Sequence, residues 1–207
     1  AELSGERQLF LVDLSDPGIS RDPDSWPAVG MAASDTLDVT FDGVLVGGCH
    51  RVGDANFYVD RPGFWHGSAG VAACWFGGAR AVLGALERSP TAENPHTDAH
   101  LGAAASRLWS MELALRQAAG AIDDDPTDAE GAARTVALAV RHVVETGALE
   151  VVERVGRATG AEPLGHDRRH GQRVADLLVY VRQIHAESDL AELGRAVRPR
   201  LARICHP

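Results

Sequence analysis

From residue 62 onward, apolar side chains recur at intervals of three and four residues, and this pattern most constrains how the chain can fold. The first run includes Val71, Trp75, Val82 and Leu86. Such spacing places the apolar residues on one face of an α-helix. Successive helices of this kind, joined by short polar segments, bury their apolar faces by packing against one another. The pattern therefore predicts a four-to-five-helix, up-down bundle over residues 61–207.

Residues with capping chemistry predict where several of these helices begin. Asn94 followed by Pro95 indicates the N-cap and first-turn proline of the second helix. Residues 127–130 have the pattern of a capping box, which predicts the start of a third helix of about thirty residues. Ser188 is expected to cap a short fifth helix near Leu190. A fourth helix is expected before it, with apolar positions at Val174, Leu177, Val181 and Ile184.

The first sixty residues have a different pattern, with short apolar and alternating segments. Residues 9–14 form an apolar run of strand length, and residues 36–41 alternate apolar and polar side chains. Asp42 and Gly43 then precede the apolar residues 44–46, which fits either a hairpin or a bulge in one continuing strand. We therefore expect a partial antiparallel β-domain over residues 1–60. The predicted fold class is mainly α with a small β part.

Charge and cysteine content exclude several kinds of partner and scaffold. The chain has 29 acidic and 20 basic residues, a formal charge of −9, which argues against binding nucleic acid or an anionic membrane. We expect no membrane span, since no uninterrupted apolar run approaches the ~18 residues needed. The three cysteines form no CxxC pair, so neither a disulfide scaffold nor a zinc ribbon is indicated. A soluble, cytoplasmic protein is the expectation.

Three segments near the N-terminus resemble the middle β-domain of acyl-CoA dehydrogenases. Pro17-Gly18 matches a Pro-Gly element, and residues 30–36 resemble that family's Gly-x-Arg-x-Ser-x-Thr element. Residues 39–46 resemble the strand of Phe-Glu-x-Val-x-Val type that follows. The helix that includes residues 70–83 looks like the first helix of the family's C-terminal bundle, and residues 155–160 and 173–183 fit its last two helices. The resemblance covers nearly the whole chain.

The resemblance implies an oxidoreductase of fatty acid metabolism that binds FAD. In such a flavoprotein a hydride leaves the β-carbon of an acyl-CoA or related thioester while a carboxylate removes the α-proton. It assigns Ser34, Thr36 and Arg88 to cofactor binding. It also implies a homodimer or homotetramer that associates through the helical bundle.

This sequence departs from the family pattern in several places. An alanine, Ala32 or Ala33, stands where the Gly-x-Arg element has its arginine, and Arg88 alone remains of an Arg-x-x-Phe-Gly element. The N-terminal half is absent, so we expect either the C-terminal part of a longer protein or a second chain that supplies that half. The catalytic glutamate is missing from both of its usual places, near Gly67 and near Ile184.

A histidine lies beside each of those places, and His185 is the predicted catalytic residue. An imidazole titrates near neutral pH, so it can accept a proton there. Arg182 is the predicted substrate-binding residue, because its guanidinium can hold a phosphate; it is expected on the same helix as Arg173. The pairs His96/His100 and His166/His170 have helical spacing but no third ligand, so no metal site is expected.

Two other functions remain open at this point. The missing glutamate and the incomplete loop motif also fit a non-catalytic helical bundle that acts as an oligomerisation or assembly partner. Alternatively, the chain could be a flavin monooxygenase-like member of the same superfamily, which needs no carboxylate for α-proton abstraction.

Overall fold

The computed structural model describes residues 2–3, 5–87 and 94–205, with side chains described for 5–86 and 94–199. The chain divides into two compact units. The first consists of Ala1–Ala28 and Ala32–Phe64, and the second of Val29–Met31 and Trp65–Pro207.

Short antiparallel strand pairs make up most of the regular structure in the first unit. The strands are β1 (Glu2–Leu3), β2 (Glu6–Arg7), β3 (Leu9–Phe10), β4 (Ile19–Asp22), β5 (Asp38–Phe41) and β6 (Arg51–Val52). They pair as β1–β2, β3–β6 and β4–β5, and a short helix α1 (Phe57–Asp60) follows them. Two-stranded pairs leave strand edges without a sheet partner, so this unit has little core of its own.

Two strand predictions need correction. Residues 44–46 are neither a second hairpin strand nor a continuation of β5, which pairs instead with β4. The ladder ends with the Asp42 amide donating to the Gly18 carbonyl, and Gly43 then turns the chain at a φ of 65°. In residues 9–14 only β3 is a strand, because the Asp13 carboxylate accepts the Ser15 amide and starts a turn.

Five long helices dominate the second unit, so the predicted class, mainly α with a small β part, is confirmed. These are α2 (Pro62–Glu87, whose first three residues fall in the first unit), α3 (Pro95–Asp124), α4 (Ala133–Thr159), α6 (Arg168–Tyr180) and α7 (Glu187–Cys205). A short α5 (Glu162–His166) precedes α6, and a 3₁₀ turn (Val181–Gln183) follows it.

The helix starts agree with the sequence at one of three capping positions. Asn94 caps α3 as predicted, since its side-chain oxygen accepts the His96 amide at 2.9 Å. The capping box at residues 127–130 is wrong: the segment is a turn, and α4 begins at Ala133, whose amide donates to the Asp128 carboxylate at 2.8 Å. Ser188 is not a cap either, because α7 already begins at Glu187.

Helices α3 and α4 run antiparallel, and so do α2 and α6, where Gly78 lies against Leu177 one turn from the contact of Trp75 with Tyr180. Met111 of α3 packs on Gly147 of α4, and Arg107 of α3 pairs with Glu150 of α4. Trp75 of α2 packs edge-on against Tyr180 of α6.

Arg141 of α4 contacts Ser68 of α2, and Arg134 of α4 pairs with Glu192 of α7. Together, these contacts place the beginnings of α2, α4 and α7 and the ends of α3 and α6 at one end of the bundle. We call this end the catalytic-candidate end, because His66 and His185 both lie there.

Helix α2 packs on two sides and leaves a third face open. Trp75 is fully buried, and the neighbouring Phe76 faces a groove toward α3. The open face carries small residues at alternating spacings of four and three, which we call the glycine stripe: Gly63, Gly67, Gly70, Cys74 and Gly77, all exposed. A Cβ added at any of its four glycines would meet no atom within 4 Å.

Helix α2 is also long and apolar enough to cross a membrane by length and composition alone. Its best 18-residue window has a mean hydropathy of 1.4, and 44% of that window is buried inside the protein. Ala72, Trp75, Ala79 and Val82 are fully buried in the bundle core. A core helix of a bundle has this same composition, so the expectation of no membrane span stays a prediction.

Candidate functional site

His185 lies in the junction between the 3₁₀ turn and α7 rather than on a helix. Its side chain is 82% exposed, and its backbone amide donates to Oδ2 of Asp189 at 3.0 Å. The imidazole Nδ1 lies 3.5 Å from Oδ1 of the same carboxylate. Asp189 stands in the first turn of α7, where a carboxylate is stabilised by the free amides and the helix dipole.

The Asp189 carboxylate lies near the His185 ring, at a distance longer than a normal hydrogen bond. A carboxylate beside Nδ1 favours the tautomer that is protonated at Nδ1. The other ring nitrogen, Nε2, is then free to accept a proton from a group on the solvent-exposed side. Asp189 was not predicted as a site residue, although an acid four residues after a histidine at a helix start is a signal that could have indicated it.

Arg182 is in the 3₁₀ turn, so the prediction that it shares a helix with Arg173 is wrong. Helix α6 ends at Tyr180, and the next three residues form the 3₁₀ turn that precedes the junction. The Arg182 guanidinium donates to Oε1 of Glu145 at 3.3 Å and is 58% exposed, whereas the Glu145 side chain is 11% exposed. A phosphate at Arg182 would therefore share the guanidinium with a nearly buried carboxylate.

Arg141, a buried residue not predicted from the sequence, connects three segments at this end. Its guanidinium donates to the Gln183 carbonyl at 2.8 Å and to the Ser68 hydroxyl at 3.2 Å, and it lies 4.7 Å from the ring centre of Trp75. Burial lowers the pKa of Arg141, while the charges of Asp189 and Tyr180 act in the opposite direction. The contacts fasten the junction that carries His185 to α2 and α4.

A cleft of about 290 Å³ opens between the beginning of α2, the end of α3 and the beginning of α4. Its polar lining is Trp65, His66, Asp124, Asp125, Asp128 and Glu130, and we call it the acidic cleft. The Nε2 atom of His66 is shielded from solvent and has no hydrogen-bond partner among the described residues. His66 is the histidine beside Gly67, the earlier of the two places where the family glutamate was sought.

The loop between α3 and α4 is held by its own carboxylates. Asp125 accepts the Glu130 amide at 3.0 Å and the Ala129 amide at 2.9 Å. These two backbone hydrogen bonds are the main reason that the pKa of Asp125 is lowered, and the nearby His66 adds to the effect. Two carboxylates of the cleft, Asp125 and Asp128, thus have structural partners in the loop.

The other predicted site residues lie elsewhere. Ser34 and Thr36 belong to the first unit, where their exposed hydroxyl groups lie 2.7 Å apart and share a hydrogen bond. Arg88 lies outside the described residues. His166 and His170 are on separate helices, α5 and α6, and the described residues contain no cluster of three or more side chains suited to holding a metal ion.

Comparisons with known proteins establish the fold. No protein-family model matches the sequence, and no curated protein matches it. Solved structures do match, among them a Mycobacterium smegmatis protein assigned as an acyl-CoA dehydrogenase (TM-score 0.79, 14% identity), the dibenzothiophene monooxygenase TdsC from Paenibacillus sp. A11-2 (0.76, 19%) and KijD3 in complex with FMN and a dTDP-linked amino-keto sugar (0.64, 21%).

The matches cover 92%, 95% and 90% of this chain but 52%, 57% and 50% of the respective solved chains. The chain thus spans about half the length of the structures that it matches. The resemblance to acyl-CoA dehydrogenases, first indicated by the order of short motifs, is confirmed at the level of the fold.

Proposed function

We propose that this chain forms the C-terminal part of a flavin-dependent oxidoreductase that oxidises an acyl-CoA or a related thioester. The observation that carries the proposal is the shared fold together with the His185–Asp189 pair at the place where the family glutamate was sought. KijD3, one of the matching structures, contains FMN. In line with the sequence resemblance, we propose FAD as the cofactor here.

The first unit offers groups that fit one side of a flavin. The Ser34 and Thr36 hydroxyl groups are exposed and can hydrogen-bond to a polar ring edge. Phe41 is 56% exposed and can contact a ring face. A bound flavin would accept the hydride equivalent from the β-carbon of the substrate. Covering the other side of the ring is the role that we assign to the missing half, whether it belongs to the same protein or to a second chain.

The residues of this chain would then handle the proton. Nε2 of His185 accepts the α-proton, and the Asp189 carboxylate holds the ring by Nδ1 and compensates the positive charge that forms. Arg182 contacts a phosphate of the CoA group at the exposed edge of the junction. Association through the bundle into a homodimer or homotetramer, in the cytoplasm, completes the proposal.

The test uses the full gene product reconstituted with FAD. Flavin absorbance of the purified protein measures cofactor binding, and anaerobic mixing with a series of acyl-CoAs measures flavin reduction. We expect His185→Ala to slow reduction by about 10²–10⁴-fold, the usual contribution of general-base catalysis. Asp189→Asn should slow it less and alter its pH dependence, and Glu187→Gln, a neighbouring exposed acid, is the matched control. A protein that takes up no flavin, or a His185→Ala variant as fast as wild type, would refute the proposal.

A monooxygenase-like reaction is the second candidate, favoured by the histidines in place of the glutamate and by the fold shared with TdsC. It predicts that supplied reduced flavin and oxygen give an oxygenated product without any flavin reduction by acyl-CoA. The third reading, a non-catalytic assembly partner, predicts neither reaction and no flavin absorbance.

A further inference from the structure

We propose that Arg141 and Glu145 are positioning residues, which hold the 3₁₀ turn before His185 and thereby set where the imidazole lies. The inference rests on the proposed function, because it concerns the side chain that would accept the proton there. Both residues belong to α4 and are one helical turn apart, so their side chains leave the same face of the helix.

The burial of two opposite charges is the first observation. Arg141 and Glu145 are the only arginine and carboxylate side chains that are buried among the residues that the structure describes. A charged side chain loses its hydration when it is buried, so it needs polar partners that replace the water. The partners of these two side chains therefore show what the charges hold in place.

The two charges hold consecutive residues of the 3₁₀ turn. The Arg141 guanidinium donates to the Gln183 carbonyl at 2.8 Å. Oε1 of Glu145 accepts a hydrogen bond from the Arg182 guanidinium at 3.3 Å. One contact holds the backbone of the turn, and the other holds a side chain. Only one residue lies between Gln183 and His185, so the turn largely determines where the His185 backbone lies.

The other sides of both charged groups are also in contact with the bundle. The Arg141 guanidinium donates to the Ser68 hydroxyl at 3.2 Å and lies 4.7 Å from the ring centre of Trp75. Oε2 of Glu145 lies 3.9 Å from Nδ1 of His142. The turn is thus connected to α2 as well as to α4, through groups that are themselves held.

The charge of Arg141 also acts on the acid beside His185. Burial lowers the pKa of Arg141, and the negative charge of Asp189 opposes that shift. The attraction is mutual, so Arg141 helps to hold the Asp189 carboxylate, which lies 3.5 Å from Nδ1 of His185. A neutral residue at position 141 would therefore remove a charge as well as a set of contacts.

The experiment measures the surroundings of the His185 ring and the reaction rate in the same variants of the full gene product. NMR of histidine-labelled protein gives the ring signal of His185, assigned by its absence in His185→Ala. We expect Arg141→Lys and Glu145→Gln to shift this signal. We also expect them to slow flavin reduction by an acyl-CoA about tenfold, because a displaced proton acceptor loses its alignment with the substrate.

Chemical rescue separates positioning from a general loss of stability. In Arg141→Ala, added guanidinium at a non-denaturing concentration should restore the His185 signal and part of the rate, whereas sodium chloride should not. Guanidinium weakens folded proteins, so a variant that is merely less stable would lose rate instead. Ser68→Ala removes one accepting hydroxyl group and keeps the charge, so it serves as a milder variant. It should slow reduction about threefold.

Glu153 and Arg157 provide the matched control. They are an oppositely charged pair with the same spacing on the same helix, but both side chains are more than half exposed. Glu153→Gln and Arg157→Lys should leave the His185 signal and the rate unchanged. A His185 signal that stays in place in Arg141→Lys and Glu145→Gln, or that moves equally in the control variants, would overturn the positioning role.

The two readouts also separate this inference from the proposed function. A protein whose flavin is reduced by no acyl-CoA, but whose His185 signal shifts in Arg141→Ala and returns with guanidinium, refutes the proposed reaction and supports the positioning role. Flavin reduction at the wild-type rate in both Arg141→Lys and Glu145→Gln overturns the positioning role and leaves the proposed reaction standing.

Discussion

Arg141 illustrates how a single buried side chain can organise the catalytic-candidate end. Its guanidinium reaches Ser68 of α2 and the Gln183 carbonyl of the 3₁₀ turn from its own position on α4. No apolar residue could make both contacts, and a lysine has one nitrogen rather than a planar fork. The position of His185 relative to α2 therefore depends on this residue, although Arg141 lies outside the His185–Asp189 pair.

At the same scale, Asp125 makes the stability of the α3–α4 loop depend on pH. Its pKa is lowered by the Glu130 and Ala129 amides, so the folded state favours the ionised form. The stabilisation is present above the pKa of the unfolded chain and is lost as the pH falls through the lower, folded pKa. We expect Asp125→Asn to melt at a lower temperature than wild type at neutral pH, and this difference to shrink in acid.

Thermal melts of both proteins from neutral to acidic pH check this prediction. Asp123→Asn serves as the control, because Asp123 is exposed in the same segment and holds no loop amide in the described structure. A difference between wild type and Asp125→Asn that stays constant down to acidic pH would contradict the assigned role.

At the scale of elements, the contact between α3 and α4 depends on one glycine. A Cβ at Gly147 would lie 2.7 Å from Sδ and 2.8 Å from Cγ of the fully buried Met111. A Cβ added at Gly156, farther along α4, would have no atom within 4 Å. The same substitution should therefore have opposite effects at two positions of one helix.

We expect Gly147→Ala to lower the free energy of unfolding by about 1 kcal/mol, because overpacking costs ~1–3 kcal/mol and improved helix propensity returns part of it. Gly156→Ala should raise it by about 0.5–1 kcal/mol. Urea denaturation midpoints measure both. Stabilisation by both alanines would show that the α3–α4 contact is looser than described.

The sequence predicted helices better than strands, for physical reasons that differ by element. Helices α2, α3 and α4 were predictable because each buries apolar residues over many turns, which produces a long periodic pattern in the sequence. The start of α3 was predictable because Asn94 caps it through a contact local in sequence. The start of α4 was misplaced because Asp125 and Asp128, rather than Thr127, satisfy the free amides. Residues 44–46 have strand-like composition, but the pairing of β5 with β4 depends on contacts distant in sequence.

The candidate site was only partly predictable. His185 and His66 could be selected from the sequence, because each lies beside a place where the family glutamate was expected. Asp189, Arg141 and the acidic cleft were missed, because each depends on which helix ends meet in space. The spacing of residues within one segment does not contain that information.

At the scale of the whole molecule, exposed apolar side chains on α3 are suited to association through the bundle. Trp109 is 65% exposed, and Leu113, one turn further, is 47% exposed on the same face. A tryptophan this exposed is uncommon unless it contacts a partner. If the proposed oligomer forms through this face, the double substitution Trp109→Lys, Leu113→Lys reduces the molar mass measured in solution.

Size-exclusion chromatography with light scattering measures that mass. Leu45→Lys provides the control, because Leu45 is 89% exposed but belongs to the first unit. An unchanged mass in the double variant, with circular dichroism showing intact helices, would place the oligomer interface elsewhere.

The composition of α2 has a consequence for the order in which the bundle folds. Six of its 26 residues are glycine, and each costs ~0.5–1 kcal/mol relative to alanine within a helix. Such a helix is unstable before it docks, whereas the adjacent α3 and α4 can form a hairpin through contacts local in sequence. We expect α3 and α4 to assemble first in refolding, and α2 to become helical only as Trp75 enters the core.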